Sequence, residues 1–303
     1  MLKPLNRNKI ALTVPELLAG TGDLPSLMGI LNVTEDSFSD GGQYRCPERA
    51  VEKALALLDA GALVVDLGAE STRPGAQEIP ADVQIGRLLP VIRGIFQRKS
   101  DALLSVDTRN ASVARAVLEE GVQIINDVSG FSFDPAMGEV IASYGACAVL
   151  MHMRGLPENM RQESFCRYED VVADVASALE KIRDQALSCG IRKEKLLLDV
   201  GIGFAKTAGG DLELIRAARY LKERLQIPLL YGVSRKSFLK ACIGECPAPE
   251  RDFATMGVLC ALAQSGVAML RVHEVRGAAH ALKSYMQCLR KVKDIETEKI
   301  VLP

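Results

Sequence analysis

Tryptophan is absent from the 303-residue sequence, and aromatic residues make up only 5% of it. Proteins that bind single-stranded nucleic acid stack the bases on aromatic side chains, so this class of partner is disfavoured. The formal net charge is −1, whereas nucleic-acid-binding proteins usually carry a basic excess. We therefore expect no nucleic-acid partner. A net charge near zero still permits a local basic pocket.

Long apolar runs are also missing from the sequence. No stretch reaches the roughly 18 residues of a membrane span, and the basic N-terminus lacks the apolar core of a signal peptide. The eight cysteines are scattered, and the closest pair, Cys242 and Cys246, matches no common zinc spacing. We therefore expect reduced thiols in a cytoplasmic protein that has no membrane contact.

Short apolar runs alternate with amphipathic helical stretches from residue 27 onwards. The runs are apolar throughout, which is typical of parallel strands buried on both faces. Eight such units in about 275 residues favour a (β/α)8 TIM barrel. The alternative is an open doubly wound sheet, but the G-x-G-x-x-G turn often found after its first strand is absent. Residues 1–26 are predicted to be an extension with a short strand or hairpin, and residues 27–303 a single barrel domain.

Polar residues follow every predicted strand. The first strand, Leu27–Leu31, leads into a polar loop over residues 32–42, and the later strands end in the same way. In a barrel these strand ends converge on one rim around the axis, where barrel enzymes place their chemistry. Helix capping could explain any one of these residues, but not the whole set. The set consists of Asn32, Asp66, Asp107, Asn126, His152, Asp199, Ser234 to Ser237, and Arg271 with His273.

Hydrogen-bond acceptors form one part of this rim. Asp107, Asp199 and the amide of Asn126 suit a planar heterocycle that bears N–H and amino donors. Asn32 offers a hard oxygen ligand, with Asp36, Ser37 and Asp40 following in the loop, and such ligands suit Mg²⁺ better than zinc. The acceptors therefore predict a nitrogen-rich ring, and Asn32 predicts a magnesium contact.

Cationic side chains form the other part of the rim. Such groups suit anions, and a guanidinium holds phosphate oxygens through paired hydrogen bonds. A helix predicted to begin near Ser237 would add its free N–H groups and its dipole. We therefore expect a phosphorylated or pyrophosphorylated substrate. The cationic candidates are Arg73, Lys206, Lys236, Arg271 and His273.

Eight segments of the chain, between residues 27 and 290, resemble in order the signatures of the dihydropteroate synthases of folate biosynthesis. Each segment lies at a predicted strand end, and eight matches in one order leave little room for chance. The matching segments are Gly29–Gly42, Asp66–Gly75, Ser105–Thr108, Ile124–Asp127, Met151–Gly155, Leu198–Phe204, Ser234–Ser237 and Arg271–His273.

The resemblance implies a reaction and a role for each site residue. The family joins 6-hydroxymethyl-7,8-dihydropterin diphosphate to 4-aminobenzoate and releases pyrophosphate, by a Mg²⁺-assisted dissociative substitution, in a homodimeric enzyme. Asn32, Lys236, Arg271 and His273 would be the catalytic set, with Asn32 meeting the metal. By analogy the pterin ring would be held by Asp107, Asn126, Asp199 and Lys236, the diphosphate by Arg271, His273 and Thr72, and the aminobenzoate by Thr72, Arg73, Pro74, Phe204 and Ser237.

Two other functions fit parts of the pattern. A pterin-binding barrel that passes a methyl group from a folate to a corrinoid would share the ring acceptors, but it would have little use for Arg271 with His273. A non-catalytic paralogue would not need the complete cationic set. The chain departs from the family pattern mainly at Glu35 and Val200, where proline is usual, which concerns loop dynamics more than the reaction.

Overall fold

The computed structural model describes residues 24–33, 46–71, 75–156 and 158–289 of the chain. Within them, eight parallel strands follow one another in sequence order and close into a barrel. The predicted (β/α)8 barrel is therefore confirmed, and the open sheet is excluded. The strands are β1 (Ser26–Asn32), β2 (Val64–Gly68), β3 (Leu104–Asp107), β4 (Ile124–Asp127), β5 (Cys147–Met151), β6 (Leu196–Asp199), β7 (Leu229–Tyr231) and β8 (Met269–Val272).

Helices surround the barrel because the sequence between most strands forms helices whose apolar sides cover the outer face of the sheet. Side-chain caps fix some helix starts: Asn110 accepts hydrogen bonds from the backbone N–H groups of Ser112 and Val113. The helices are α1 (Cys46–Asp59), α2 (Ala81–Arg98), α3 (Ala111–Glu119), α4 (Met137–Tyr144), α5 (Glu163–Cys166), α6 (Val171–Ser188), α7 (Ala208–Arg216), α8 (Ala218–Leu225), α9 (Lys240–Ile243), α10 (Asp252–Gln264) and α11 (Val275–Leu289). None of these helices is long and apolar enough to cross a lipid bilayer.

An apolar cluster fills the inside of the barrel, so the barrel is a packed core and not a pore. Above this cluster, towards the carboxyl ends of the strands, the interior becomes polar. The change occurs within β2, where Val64 belongs to the cluster and Asp66, two residues later, is a buried carboxylate. The cluster consists of Met28, Val64, Ile124, Cys147, Val149, Leu197, Leu230 and Met269.

Most predicted strands lie slightly too early in the chain. The second was predicted over 62–66 and is observed over Val64–Gly68, and the last was predicted over 267–270 and is observed over Met269–Val272. The reason is that the polar residues at the strand ends are themselves paired in the sheet, as Asp66 is with Ser105. Backbone hydrogen bonding thus carries several strands, such as β3 and β4, into the polar residues that follow their apolar runs.

One helix prediction changes and another is confirmed. The helix predicted over 212–225 is divided at Ala217 into α7 and α8. The helical stretch predicted from Ser237 to Ile243 is confirmed in its bounds, as a 3-10 helix over Ser237–Leu239 that continues into the four-residue α9. Its dipole is weaker than that of a longer helix, because so short a segment aligns few peptide dipoles.

Several predicted features lie outside the described residues. They include the N-terminal extension, apart from its last three residues, and the first polar loop with Asp36, Ser37 and Asp40. Thr72 and Arg73, predicted for the diphosphate and the aminobenzoate, also lie outside the described residues. Ser26, the last residue of the predicted extension, is the first residue of β1.

Candidate active site at the carboxyl end of the barrel

Every predicted site residue that the structure describes lies at the carboxyl end of a strand or in the loop that follows it. They come from five of the eight strands and from the loops after β6, β7 and β8. The prediction that they share one rim is therefore confirmed. These residues are Asn32 on β1, Asp107 on β3, Asn126 on β4, Asp199 on β6, Phe204 after β6, Lys236 and Ser237 after β7, Arg271 on β8 and His273 after β8.

Arg271 joins two carboxylates across the barrel mouth. Its Nε donates to Asp66 Oδ2 at 2.7 Å, and one terminal nitrogen donates to Asp107 Oδ2 at 3.1 Å. Asp66 is fully buried, and Asp107 is 7% exposed. Burial raises the pKa of Asp107, and the positive charge of Arg271 opposes that rise. The guanidinium is thus fixed across β2 and β3, with its charge partly balanced inside the protein.

Asn126 is also tied to Asp66. Its amide nitrogen donates to Asp66 Oδ2 at 3.1 Å, so the same oxygen receives hydrogen bonds from Asn126 and Arg271. Asn126 is 3% exposed and therefore cannot exchange this bond freely with bulk water. The amide nitrogen is thereby used within the protein, and the amide oxygen is the acceptor that Asn126 can offer to a bound ring.

Asp199 presents a carboxylate from the end of β6. Its Oδ1 accepts the backbone N–H of Gly201 at 2.8 Å. A methyl group added at Gly232 would lie 3.9 Å from both Asp199 Oδ2 and Arg271 Cβ, so the glycine keeps the space between these side chains open. Burial raises the pKa of Asp199, whereas the Gly201 hydrogen bond and Lys236 lower it. Oδ2 can therefore accept hydrogen bonds from a ligand in that space.

Lys236 lies against Phe204 from the preceding strand's loop. Its ammonium nitrogen is 4.1 Å from the centroid of the Phe204 ring, a cation–π distance. A methyl group at Gly203 would come within 3.1 Å of Lys236 Cδ, so this glycine leaves room for the lysine stem. Burial lowers the pKa of Lys236 to about 8, and Asp199 opposes this effect.

The turn that carries Lys236 and Ser237 is held by its neighbour, Arg235. Arg235 has a left-handed backbone with φ of 60°, which is unfavourable for a residue with a side chain. Its guanidinium makes two hydrogen bonds to Asp252 at 2.7 and 2.8 Å, and its carbonyl accepts one from Arg251 at 2.9 Å. These contacts compensate the strain and fix the direction in which the turn points.

His273 is oriented by Ser234. The hydroxyl of Ser234 accepts the His273 backbone N–H at 3.2 Å and lies 3.0 Å from His273 Nδ1. The hydroxyl can donate its own proton to Nδ1, and this geometry fits the tautomer that carries the ring proton on Nε2. The imidazole then presents an N–H donor, as an anion site requires.

Lys206, predicted as an anion-binding cation, is used within the protein. Its ammonium donates to the carbonyls of Gly201 and Phe204 at 2.9 and 3.0 Å and lies 3.2 Å from His152 Nδ1. Burial lowers the pKa of Lys206, and Asp211 opposes this effect. Lys206 therefore closes the loop that carries Phe204, which differs from the role expected from its charge alone.

Asn32 lies at the same mouth as Asp107. A methyl group at Gly68, the partner of Asn32 in the sheet, would lie 3.8 Å from Asn32 Oδ1 and 3.7 Å from Asp107 Cβ. Within the described ranges, no group of three or more His, Cys, Asp or Glu residues could hold a metal ion. A single amide oxygen still fits Mg²⁺, which keeps several waters and binds few protein ligands together with substrate phosphates.

Sequence reasoning missed four residues that shape this site. Asp66 was recognised only as a strand end, and Ser234 only as part of a motif. Asp252 and Arg251, which hold the turn at Arg235, gave no signal because they lie 17 and 16 residues further along the chain. Their roles depend on contacts that only the folded chain shows.

Comparison with known proteins places the same residues in a family. Residues 28–273 match the family described as pterin binding enzyme. The chain is 37% identical over 272 residues to the dihydropteroate synthase of Synechocystis sp., covering 90% of this chain and 93% of that protein. A solved Xanthomonas albilineans dihydropteroate synthase with 4-aminobenzoic acid is 36% identical, with a TM-score of 0.81 over 89% of this chain and 94% of that one. The Xanthomonas enzyme with 7,8-dihydropteroate is 33% identical, with a TM-score of 0.79 and coverage of 90% and 98%.

Proposed function

Because the chain belongs to the pterin-binding enzyme family and is a dihydropteroate synthase, we propose that its rim divides into a ring subsite, an anion subsite and an aminobenzoate subsite. The strongest support for this division is the pair of hydrogen bonds from Arg271 to Asp66 and Asp107. These bonds bring carboxylate acceptors and a cation together at the mouth of the barrel. The substrates are 6-hydroxymethyl-7,8-dihydropterin diphosphate and 4-aminobenzoate, and the products are 7,8-dihydropteroate and pyrophosphate.

The ring subsite combines acceptors and one donor. Asp199 accepts from the amino and ring N–H groups of the pterin, and Asn126 and Asp107 accept from the opposite edge. Lys236 donates to the ring carbonyl. The buried positions of the three acceptors strengthen these bonds, because a site shielded from water has a low local dielectric. A site built in this way rejects rings that lack the matching donors, since its polar groups would then be left unpaired.

The anion subsite lies around Arg271 and His273. Arg271 is placed beside the ring by its two carboxylates, and His273 is turned by Ser234 so that Nε2–H can donate. Both groups stabilise the charge that increases on the diphosphate as it leaves. Asn32 is the described residue that would hold Mg²⁺, which when bound supplies further positive charge to the diphosphate.

The reaction is a substitution at the methylene carbon of the pterin. The bond from this carbon to the bridging oxygen breaks, and its electron pair leaves with pyrophosphate. The ring nitrogens stabilise the cationic carbon that results. The amine of 4-aminobenzoate then donates its lone pair to the carbon and loses a proton to solvent. An arylamine is uncharged at neutral pH, so the rim needs no strong general base.

The aminobenzoate subsite adjoins the ring subsite at Phe204. The Phe204 side chain is 8% exposed and touches Lys236, so an aromatic ring stacked there would lie next to the pterin methylene. Ser237 is exposed at the turn and offers a hydroxyl and a backbone N–H to the carboxylate. Thr72 and Arg73 are proposed from the resemblance to complete this subsite.

The rival functions are less well supported. A methyltransferase that serves a corrinoid has no use for the Ser234–His273 pair or for the locked turn at Arg235, both of which present donors to an anion. A non-catalytic paralogue would not need to retain Lys236, whose burial carries a free-energy cost.

We further propose that the enzyme is a homodimer in the cytoplasm. Helix α10 (DFATMGVLCALAQ) is apolar on all sides, and its outer face exposes Phe253, Gly257 and Ala261 at intervals of four residues. Phe253 is 90% exposed, and an exposed apolar face of this kind is typical of a protein interface. The seven cysteines whose side chains are described are all free, which fits a reducing compartment.

The assignment is tested by an assay with both substrates and Mg²⁺. We expect equal amounts of pyrophosphate and 7,8-dihydropteroate, with little of either when 4-aminobenzoate is omitted. Transfer of a methyl group to a corrinoid, or tight pterin binding without turnover, would support one of the rival functions instead.

A further inference from the structure

Asp66 is a carboxylate buried deeper than the substrate-facing residues. It is fully buried in β2, and its other oxygen, Oδ1, has no hydrogen-bond partner among the described residues. Its neighbour across the sheet, Ser105 on β3, has a buried hydroxyl that likewise finds no partner in the described part of the chain. The barrel interior immediately below, around Val64, is apolar.

Burying the Asp66 carboxylate does not stabilise the folded protein. Taking a charge out of water costs several kcal/mol, and one ion pair repays the cost only if the remaining acceptors are also satisfied. Asp66 has one satisfied oxygen and one orphan. A leucine, which has the same branching and number of side-chain heavy atoms, would continue the apolar cluster and avoid the cost. The presence of Asp66 at this position is therefore explained by the side chains that it binds and not by a gain in stability.

Asp66 holds one residue of the ring subsite, Asn126, and one of the anion subsite, Arg271, through one atom. Oδ2 accepts from Asn126 Nδ2 at 3.1 Å and from Arg271 Nε at 2.7 Å. The first bond decides which way the Asn126 amide faces, so that its oxygen is offered to the ring. The second fixes the inner edge of the guanidinium while its outer nitrogen reaches Asp107. Removing Asp66 leaves the Asn126 amide free to rotate and leaves Arg271 held by its hydrogen bond to Asp107 alone.

We propose that Asp66 is a positioning residue for the pterin: it aligns Asn126 and Arg271 without touching the substrate. This inference rests on the proposed ring subsite. It assigns to Asp66 an effect on one substrate only, because neither Asn126 nor Arg271 belongs to the aminobenzoate subsite. A misplacement of about 1 Å in such groups lowers turnover by about 100-fold.

The test compares Asp66→Leu with the wild-type enzyme. Asp66→Leu keeps the branching and the number of side-chain heavy atoms, replaces the two oxygens by larger methyl groups and removes both acceptors. We expect an unchanged or higher melting temperature, a fall in kcat/KM for the pterin diphosphate of about 100-fold, and a KM for 4-aminobenzoate that stays within about twofold. A purely structural role predicts the reverse, namely a lower melting temperature and equal effects on both substrates.

Two further variants keep the result interpretable. Ser105→Ala, the matched control in the same layer, should leave both KM values and the melting temperature unchanged. If Asp66→Leu does not fold, Asp66→Asn decides the matter, because it retains an acceptor but loses the charge that fixes Arg271. A folded Asp66→Asn enzyme with wild-type affinity for 6-hydroxymethyl-7,8-dihydropterin diphosphate, measured by calorimetry without 4-aminobenzoate, would overturn the proposal. This binding measurement does not require turnover, so it separates a failure here from a failure of the proposed reaction.

Discussion

The ammonium nitrogen of Lys236 lies 4.1 Å from the centroid of the Phe204 ring. These residues were assigned from the sequence to different substrates, Lys236 to the pterin and Phe204 to the aminobenzoate. If the proposed assignment holds, their contact means that the two proposed subsites adjoin along this pair of side chains. The stem of the lysine passes Gly203, where even a methyl group would be only 3.1 Å away. The reacting atoms of the two substrates can therefore meet beside this pair.

The stability of the enzyme is predicted to depend on pH through Lys236. Burial lowers its pKa to about 8, against an ordinary value of 10.5. Between these values the unfolded chain holds more protons than the folded one, so this residue's contribution to stability rises with pH. Below about pH 8 the folded protein carries the full cost of the buried ammonium. Lys236→Met should therefore raise the melting temperature at pH 7, and the gain should shrink as the pH approaches 10.5; an equal gain at both pH values would contradict this origin.

Turnover is also predicted to fall on the alkaline side as Lys236 loses its proton. The pH profile of kcat/KM reports groups in the free enzyme, so its alkaline limb should lie near pH 8. Lys236→Arg keeps the charge to far higher pH, because a guanidinium does not titrate in this range. Whatever activity this variant retains should show no limb near pH 8. If the profile of Lys236→Arg still falls near pH 8, a group other than Lys236 causes the fall.

Magnesium is predicted to be required. Chelation with EDTA should abolish pyrophosphate release, and added Mg²⁺ should restore it. Asn32→Ala should raise the Mg²⁺ concentration that gives half-maximal activity, because it removes the amide oxygen at the end of β1. Ser105→Ala, at a buried position on β3, serves as the control. Full activity in EDTA would contradict the metal role of Asn32.

The turn at Arg235 is predicted to depend on Asp252. Asp252→Ala removes both hydrogen bonds that hold a residue with a φ of 60°. We expect a loss of unfolding free energy of about 1 kcal/mol, as is common for a partly buried ion pair, and a higher KM for 4-aminobenzoate because Ser237 is no longer fixed. Denaturant titration and steady-state kinetics measure the two effects. Asp184→Ala, which removes an exposed ion pair with Arg183, is the control and should change neither.

The dimer is predicted to depend on Phe253. Phe253→Glu places a charge in the apolar face of α10 and should give a monomer in analytical ultracentrifugation. Tyr220, an aromatic residue that is 49% exposed on α8, provides the control, since Tyr220→Glu should leave the mass unchanged. A wild-type enzyme that sediments as a monomer would remove the basis for this interface.

The sequence predicted the barrel and the membership of its rim, because apolar runs, glycines and strand-end polar residues are local signals. It could not show which rim groups bind each other. Arg271 and Asp66 are 205 residues apart, and only closure of β8 against β1 brings them together. Lys206 shows the converse. Its charge predicted an anion as its partner, whereas two carbonyls of its own loop and the imidazole of His152, from the loop after β5, surround it. Pairing with neighbouring strands also decides how far a strand extends into its polar end. The sequence of a single segment does not show this pairing.

The most direct test of the proposed site is the rate of pyrophosphate release by Lys236→Ala, with both substrates and Mg²⁺ at saturating concentrations for the wild-type enzyme. The account predicts a folded protein, with a melting temperature at pH 7 no lower than that of the wild type, and a rate reduced by about 100-fold or more. A folded Lys236→Ala enzyme that releases pyrophosphate at nearly the wild-type rate would contradict it.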